Sequence, residues 1–255
     1  MKRDSVDGAN RSEVDLVVRD LGRMAYAKAL ELQRRAQREL IESRPQGGGA
    51  MTVFLVEHVP GVITLSRRPT AREHLSADAA QIRAAGVEVA ETDRGGDVTY
   101  HGPGQLVVYP ILDLDVLGLR LHGYMRFLEQ IVIDTLAHFG VAGRRDPGAT
   151  GVWVERGDEA TKRRSDGGGG SGGGKICAMG VRVSRWVSMH GLALNVTTNL
   201  EHFDLIVPCG LAGRMVTSLE RELGDRCPSM EEVKGVLVER LQEEMARSGS
   251  EEVTE

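Results

Sequence analysis

The chain has 255 residues, 41% of them apolar and 27% charged, and a net charge of −5. That is enough for one large domain or two small ones with a sizeable core, and the composition is that of an ordinary globular protein. The acidic balance excludes a general attraction to nucleic acid or to a membrane surface. An acidic protein partner would need a local basic patch, for which Arg67, Arg68, Arg72, Arg144, Arg145, Arg163 and Arg164 are the candidates.

Three cysteines, Cys177, Cys209 and Cys227, cannot all pair within one chain. No disulfide framework is implied, which fits a reducing compartment. The start, MKRDSVDGANRSEVD, lacks the apolar core of a signal peptide and is too acidic for a transit peptide. No stretch approaches the ~18 apolar residues of a membrane span. The expectation is a cytoplasmic enzyme or binding protein, with no membrane and no nucleic acid among its partners.

In chain order, residues 1–15 read as a polar, frayed tail. Leu21, Met24, Ala25, Ala29, Leu32, Ala36 and Leu40 recur at helical spacing, which predicts a helix from about Leu21 to Ser43, ended by Pro45 and the glycines 47–49. Met51–Glu57 reads as a buried strand, with Val62–Leu65 as its neighbour across Pro60-Gly61. Ser76 is placed to cap a short helix that stops at Gly86. Val87–Thr92 alternates apolar and polar, as a half-buried strand does. Leu106–Tyr109 is a strand-like apolar run, and Ile111–Leu114 leads on toward the next helix. A helix is predicted from His122 to Phe139 with Gly140 ending it, then a strand over Gly151–Glu155. Residues 161–174, TKRRSDGGGGSGGG, are flexible by composition. They read as an excursion between paired strands. Lys175–Val183 and Ser188–Val196 are the next strands, turning at Ser184-Arg185-Trp186. After Phe203–Gly210 comes a strand-like Met215–Leu219. Ser229-Met230-Glu231-Glu232 has capping-box spacing and opens a helix to about Arg247, followed by a polar tail over 248–255. The mixture has no βαβ rhythm. It predicts an α+β fold with a mixed, largely antiparallel sheet and flanking helices, as one domain over 16–247 interrupted by the glycine loop.

The densest chemistry lies in Arg94-Gly95-Gly96-Asp97-Val98-Thr99-Tyr100-His101-Gly102-Pro103-Gly104-Gln105. Glycines let the backbone approach a ligand closely, and the polar residues supply donors, acceptors and a titratable ring. The segment reads as the floor of a binding site; a glycine-rich hairpin with incidental polar residues is the plainer alternative. Gly169–Lys175 fits the spacing of a phosphate-binding loop, but Ile176 stands where Ser or Thr must follow the lysine, and the sequence beyond is strand-like. Cys209, in Pro-Cys-Gly, suits a fixed and exposed nucleophile, although on residue type alone a lone cysteine is more often a small buried hydrophobe. Cys177 lies within a strand pattern and Cys227 beside a helix cap. Lys175, between a glycine run and an apolar strand, is by type a surface residue. Drawn into an apolar pocket it could lose charge and serve as a base, or stay charged beside a thiolate. The dispersed histidines His101, His122, His138, His190 and His202 lack metal-ligand spacing, so no metal is expected.

The signature RGGDVTYHGPGQLVVYP resembles that of the octanoyltransferases of lipoate biosynthesis. LVEHVPGVITLSRRP (55–69), GKICAMGVRVSRWVSMHGLALNV (174–196), and FDLIVPCG (203–210) with VTSL (216–219) resemble further blocks of that family, over roughly residues 20–225. The resemblance implies a fold shared with biotin and lipoate protein ligases. It implies a catalytic pair, Cys209 and Lys175, and an acyl pocket over Arg94–His101, Ala178-Met179-Gly180 and Gly191-Leu192-Ala193. It also implies transfer of octanoyl from octanoyl-acyl carrier protein to a lysine of lipoyl domains, those of 2-oxoacid dehydrogenases and the glycine cleavage H protein, through a cysteine thioester and with no cofactor. The glycine insertion before Lys175 departs from the family pattern. The alternatives are an ATP-dependent lipoate or biotin ligase, a non-catalytic carrier- or lipoyl-domain-binding protein, and a thiol hydrolase.

Overall fold

The most apolar segments without helical spacing become the middle of a sheet. The computed structural model describes residues 15–155, 173–207 and 215–248. Its strands, in chain order, are β1 (Leu16–Met24), β2 (Met51–His58), β3 (Gly61–Leu65), β4 (Val87–Glu91), β5 (Val98–His101), β6 (Gln105–Ile111), β7 (Gly143–Asp146), β8 (Ala149–Glu155), β9 (Gly173–Ser184), β10 (Val187–Asn195) and β11 (Met215–Val216). The helices are α1 (Tyr26–Ser43), α2 (Ala79–Ala84), α3 (Leu121–His138), α4 (Leu219–Leu223) and α5 (Met230–Ser248).

One sheet has the order β1-β2-β6-β10-β9-β8-β7, with β11 added beside β9. A smaller sheet has the order β4-β3-β5. The pairs β1–β2, β3–β4 and β9–β11 are parallel and the rest antiparallel, so the mixed, largely antiparallel reading holds among the described residues. Val53, Val56, Leu106, Val108 and Leu194 are fully buried in the large sheet; burying such a side chain stabilises by roughly 1.5–3 kcal/mol. Helix α1 lies on β10, β2 and β6, while α3 packs on α5, β7 and β8. A second apolar cluster, including Ile63, Leu65, Val98, Tyr100 and Phe203, forms around the small sheet.

Several boundaries differ from the sequence reading. Leu21 and Met24 belong to β1, and α1 begins at Tyr26. A bulge between Asp20 and Arg23, with Gly22 at φ +59°, makes Leu16, Val18, Leu21 and Met24 the half-buried positions. The bulge stretches a two-residue period to three, which mimics a helix. Strand β3 is no neighbour of β2: both edges of β2 are taken, by β1 and β6, and β3 joins the small sheet. Asp78, not Ser76, caps α2, in a reciprocal box with Gln81. Leu219 begins α4, because the Ser218 side chain accepts from Arg221 N–H. The short strand β7 carries no apolar pattern and went unread. By contrast, the Ser229–Glu232 box opens α5 as its spacing predicts. Of the expected tails over 1–15 and 248–255, residues 1–14 and 249–255 lie outside the described residues, as do residues 161–172 of the glycine stretch, while Ser248 closes α5. No helix among the described residues is long and apolar enough to cross a membrane.

Candidate active site

The signature does not fold back as a hairpin. Its first strand, β5, pairs with β3 in the small sheet, and its second, β6, pairs with β2 and β10 in the large one. The turn between them therefore ties the sheets together. A cavity of about 500 Å³ lies where they meet. Its lining includes Arg94, Gly95, Gly96, Asp97, Val98, Thr99 and His101, with Lys175, Ala178-Met179-Gly180 and Gly191-Leu192-Ala193.

Tyr100 is not in that lining. Strand alternation puts Thr99 and His101 on one face and Tyr100 on the other. Its ring packs edge-on to Phe203, and its hydroxyl is 2.7 Å from His202 Nδ1. Cys209 lies outside the described residues.

Cross-strand register sets the long axis of the cavity. Ala178 faces Ala193, Met179 faces Leu192, Gly180 faces Gly191 and Val181 faces His190, and β6 continues the rows with Val107 and Val108. From Lys175 to Val181 the row runs roughly 20 Å at ~3.3 Å per residue.

Lys175 stands at one end. It is half-buried, and its Nζ lies 4.8 Å from the centroid of the Trp153 ring, a cation–π contact. Gly151, at φ +112°, lets β8 approach the Cys177 carbonyl closely beside this pair. A Cβ there would meet Cys177 O at 2.4 Å and Lys175 Cε at 3.7 Å. The Gly151 N–H donates to the buried Glu129 carboxylate (3.3 Å), which also takes Arg126 Nη1 (2.6 Å) and Arg145 Nε (3.2 Å). Val216 of β11 pairs with Lys175, and Thr217 N–H donates to its carbonyl at 3.0 Å.

A hydrogen-bond chain runs from that backbone into the cavity, and its direction follows from two carbonyl ends that can only accept. Asn195 Nδ2 donates to Thr217 O (2.9 Å). Gln105 Nε2 donates to Asn195 Oδ1 (2.9 Å) and to Tyr100 O (3.2 Å). Gln105 Oε1 is then left to accept from His101 Nδ1–H at 2.8 Å. Burial pushes the His101 pKa well below its ordinary value, so the ring is neutral, with the proton on Nδ1.

The loop before β5 is held from within. The Arg94 guanidinium donates to Thr64 O (2.9 Å), Gly95 O (3.0 Å) and Asp97 O (3.1 Å). Gly95 N–H donates to Val181 O at 2.9 Å. A Cβ on Gly180 would lie 2.6 Å from Gly95 O, and one on Gly191 2.2 Å from Val108 O. These glycines are therefore required by close backbone packing, rather than by the bulk of anything inside the cavity. At the end away from Lys175, His190 takes φ +61° and lies 2.9 Å from Asp93 Oδ1, while Arg182 pairs with the other Asp93 oxygen.

The sequence reading missed several lining residues: Tyr26, Val107, Tyr109, Leu121, Met125, Gly148, Ala149, Thr150, Val181 and His190. Val107 and Tyr109 follow Gln105 at two-residue spacing, and Leu121 and Met125 are four apart on α3, so periodicity held part of the signal. Tyr26 and residues 148–150 arrive only through tertiary packing. Of the arginines offered as a basic patch, Arg72 pairs with Glu91, Arg144 with Glu155 and Arg145 with Glu129, Arg68 lines the cavity, and Arg163 and Arg164 lie outside the described residues. Cys177 is fully buried and its thiol is pushed up to about 12 by burial. Burial also raises Cys227. Lys175 sits within a strand, as the rejection of a phosphate loop requires.

Residues 26–242 match the family model described as lipoyl protein ligase A/B catalytic domain. Among solved structures, lipoate-protein ligase A bound with ATP is similar at TM-score 0.63 and 18% identity, over 92% of this chain and 86% of that one. P. falciparum LipL1 in complex with lipoate is similar at TM-score 0.65 and 12% identity, over 93% and 65%. At these identities the likeness is one of fold. Curated relatives are much nearer. The octanoyltransferase of Christiangramia forsetii is 42% identical over 90% of this chain and 95% of its own length, and that of Acidobacterium capsulatum is 46% identical over 80% and 79%. The chain belongs to the octanoyltransferase family.

Proposed function

We propose that the protein transfers an octanoyl group from octanoyl-acyl carrier protein to a lysine of a lipoyl domain, through a thioester on Cys209. The acceptor domains are those of 2-oxoacid dehydrogenases and the glycine cleavage H protein. The observation that carries this reading is Lys175, an amine at one end of a slot roughly 20 Å long whose β9–β10 wall carries Ala178, Met179, Leu192 and Ala193.

The Cys209 thiolate attacks the carrier thioester, and the carrier thiol leaves with a proton. The acceptor amine then attacks the acyl-enzyme, the amide forms and the Cys209 thiolate departs. Two moderate barriers replace one high one. Lys175 relays the proton in each step, taking it from the Cys209 thiol and later from the attacking amine. Cys177 and Cys227 are poor alternatives, since burial raises both thiols. The thioester is already activated, so the reading requires neither ATP nor metal.

The test is intact-protein mass after mixing with octanoyl-acyl carrier protein without ATP, for wild type and Cys209→Ser. Wild type should gain one octanoyl group that hydroxylamine removes and that an acceptor lipoyl domain discharges; the variant should gain none. Acylation of the acceptor only with free acid and ATP would establish a ligase instead, and binding of both partners without acyl transfer would establish a non-catalytic module.

A further inference from the structure

Resting on the acyl-transfer reading above, we infer that Tyr26, backed by its hydrogen bond to Thr92, is the end wall of the slot and sets the longest acyl chain the enzyme accepts. Connectivity ties the Tyr26 hydroxyl to the His190 end of the slot. Val181 is the lining residue of β9 furthest from Lys175, and it faces His190. His190 Nε2 is held by Asp93, and the residue before Asp93, Thr92, accepts the Tyr26 hydroxyl at 2.9 Å. Tyr26 is itself buried, lines the cavity, and opens α1, whose backbone lies against β10.

The wall has the right chemistry for a methyl terminus. The Tyr26 hydroxyl is spent on Thr92, and that of Tyr109, one row nearer Lys175, bonds His58 Nε2 at 2.7 Å. With both hydroxyls engaged, the rings are left to face the cavity. The length also fits. Lys175 to the Gly180–Gly191 row is roughly 16 Å at ~3.3 Å per residue. An extended eight-carbon chain needs on the order of 9 Å from its C–C bond lengths, and a reacting carbonyl sits about 3–3.5 Å from its partner. That leaves roughly 4 Å before the Gly180–Gly191 row, and beyond it a longer chain meets the Tyr26 ring, which is fixed at both its backbone and its hydroxyl.

The test offers the enzyme an equimolar mixture of hexanoyl-, octanoyl-, decanoyl- and dodecanoyl-carrier protein with limiting lipoyl domain, and reads the acyl masses on the product. Wild type should favour octanoyl, with dodecanoyl rejected on the order of tenfold or more. Tyr26→Leu should move the preference to decanoyl or dodecanoyl; a folded Tyr26→Leu with the wild-type profile overturns the inference. If Tyr26→Leu does not fold, Thr92→Val, which frees the ring without removing it, must broaden the profile toward longer chains, and an unchanged cut-off then overturns the inference. Equilibrium binding of the free acids to the same variants reads the cut-off without turnover. If wild type forms no acyl-enzyme yet Tyr26→Leu extends the length of acid bound, the transfer reading fails and the end wall stands.

Discussion

At the residue scale, the site depends on atoms with one admissible partner. Asn195 links a carbonyl acceptor and an amide donor, Thr217 O and Gln105 Nε2, inside the protein. Asn195→Leu strands Thr217 O, at about 1–3 kcal/mol, and leaves Gln105 Nε2 with only Tyr100 O; urea unfolding should show the loss, and octanoyl transfer should fall with it because Thr217 is bonded to the Lys175 carbonyl. His58 gives a pH prediction. It donates from Nδ1 to Met24 O and accepts the Tyr109 hydroxyl at Nε2, and burial lowers its pKa from 6.5 to about 4. The unfolded chain binds the extra proton between those values, so this contribution is complete above pH 6.5 and is lost as pH falls toward 4, by about 3 kcal/mol. Unfolding of His58→Gln measured at pH 7, 5 and 4 should be less pH-dependent than wild type by that amount. Residue identity made the signature legible as a site, but not the roles of its members: alternation within β5 turns Tyr100 away from the cavity that Thr99 and His101 line.

At the element scale, the β9–β10 hairpin turns on two residues, Arg185 at φ +49° and Trp186 at φ +63°. That is the geometry Asn-Gly adopts readily and other side chains resist. Trp186 has a compensation, since the Arg120 guanidinium stacks on its ring at 4.5 Å. The polar contact of Arg185 is made by its carbonyl, which accepts from Arg44 Nη1 at 2.6 Å and survives substitution. Arg185→Asn should therefore raise the urea midpoint, corresponding to a stability gain of roughly 0.5–1 kcal/mol. Elements with strong local signals were read well: α3, α5 and β10 lie within a residue or two of their predicted bounds. β1 was misread because its bulge imitates helical spacing, and β7 because Gly-Arg-Arg-Asp carries no apolar pattern and is held by pairing with β8.

At the scale of the whole molecule, the cavity exists because one short signature feeds two sheets. Occupying it should lock β5 against β9 and β10. Free octanoic acid at a hundred times its dissociation constant should add about 2.7 kcal/mol of stability, seen as a rise in Tm that acetate at the same concentration does not produce. Gly180→Ala should abolish that rise even where the protein remains folded, because its Cβ would stand 2.6 Å from Gly95 O and push the Arg94–Asp97 loop off β9.

Local chemistry along the chain was sufficient for the α+β class, for the capping box of α5, and for the Arg94–His101 stretch as a candidate site floor, since propensity, capping and alternation act over a few residues; the Ala178–Gly180 and Gly191–Ala193 segments came from the family resemblance. Only the folded chain decided that β2 and β3 part into different sheets, that Gly180 and Gly191 serve backbone packing, and that Tyr26 lines the cavity. Those outcomes depend on which strand edges are already taken and on which backbones approach within contact distance, and such distances are set by the whole fold.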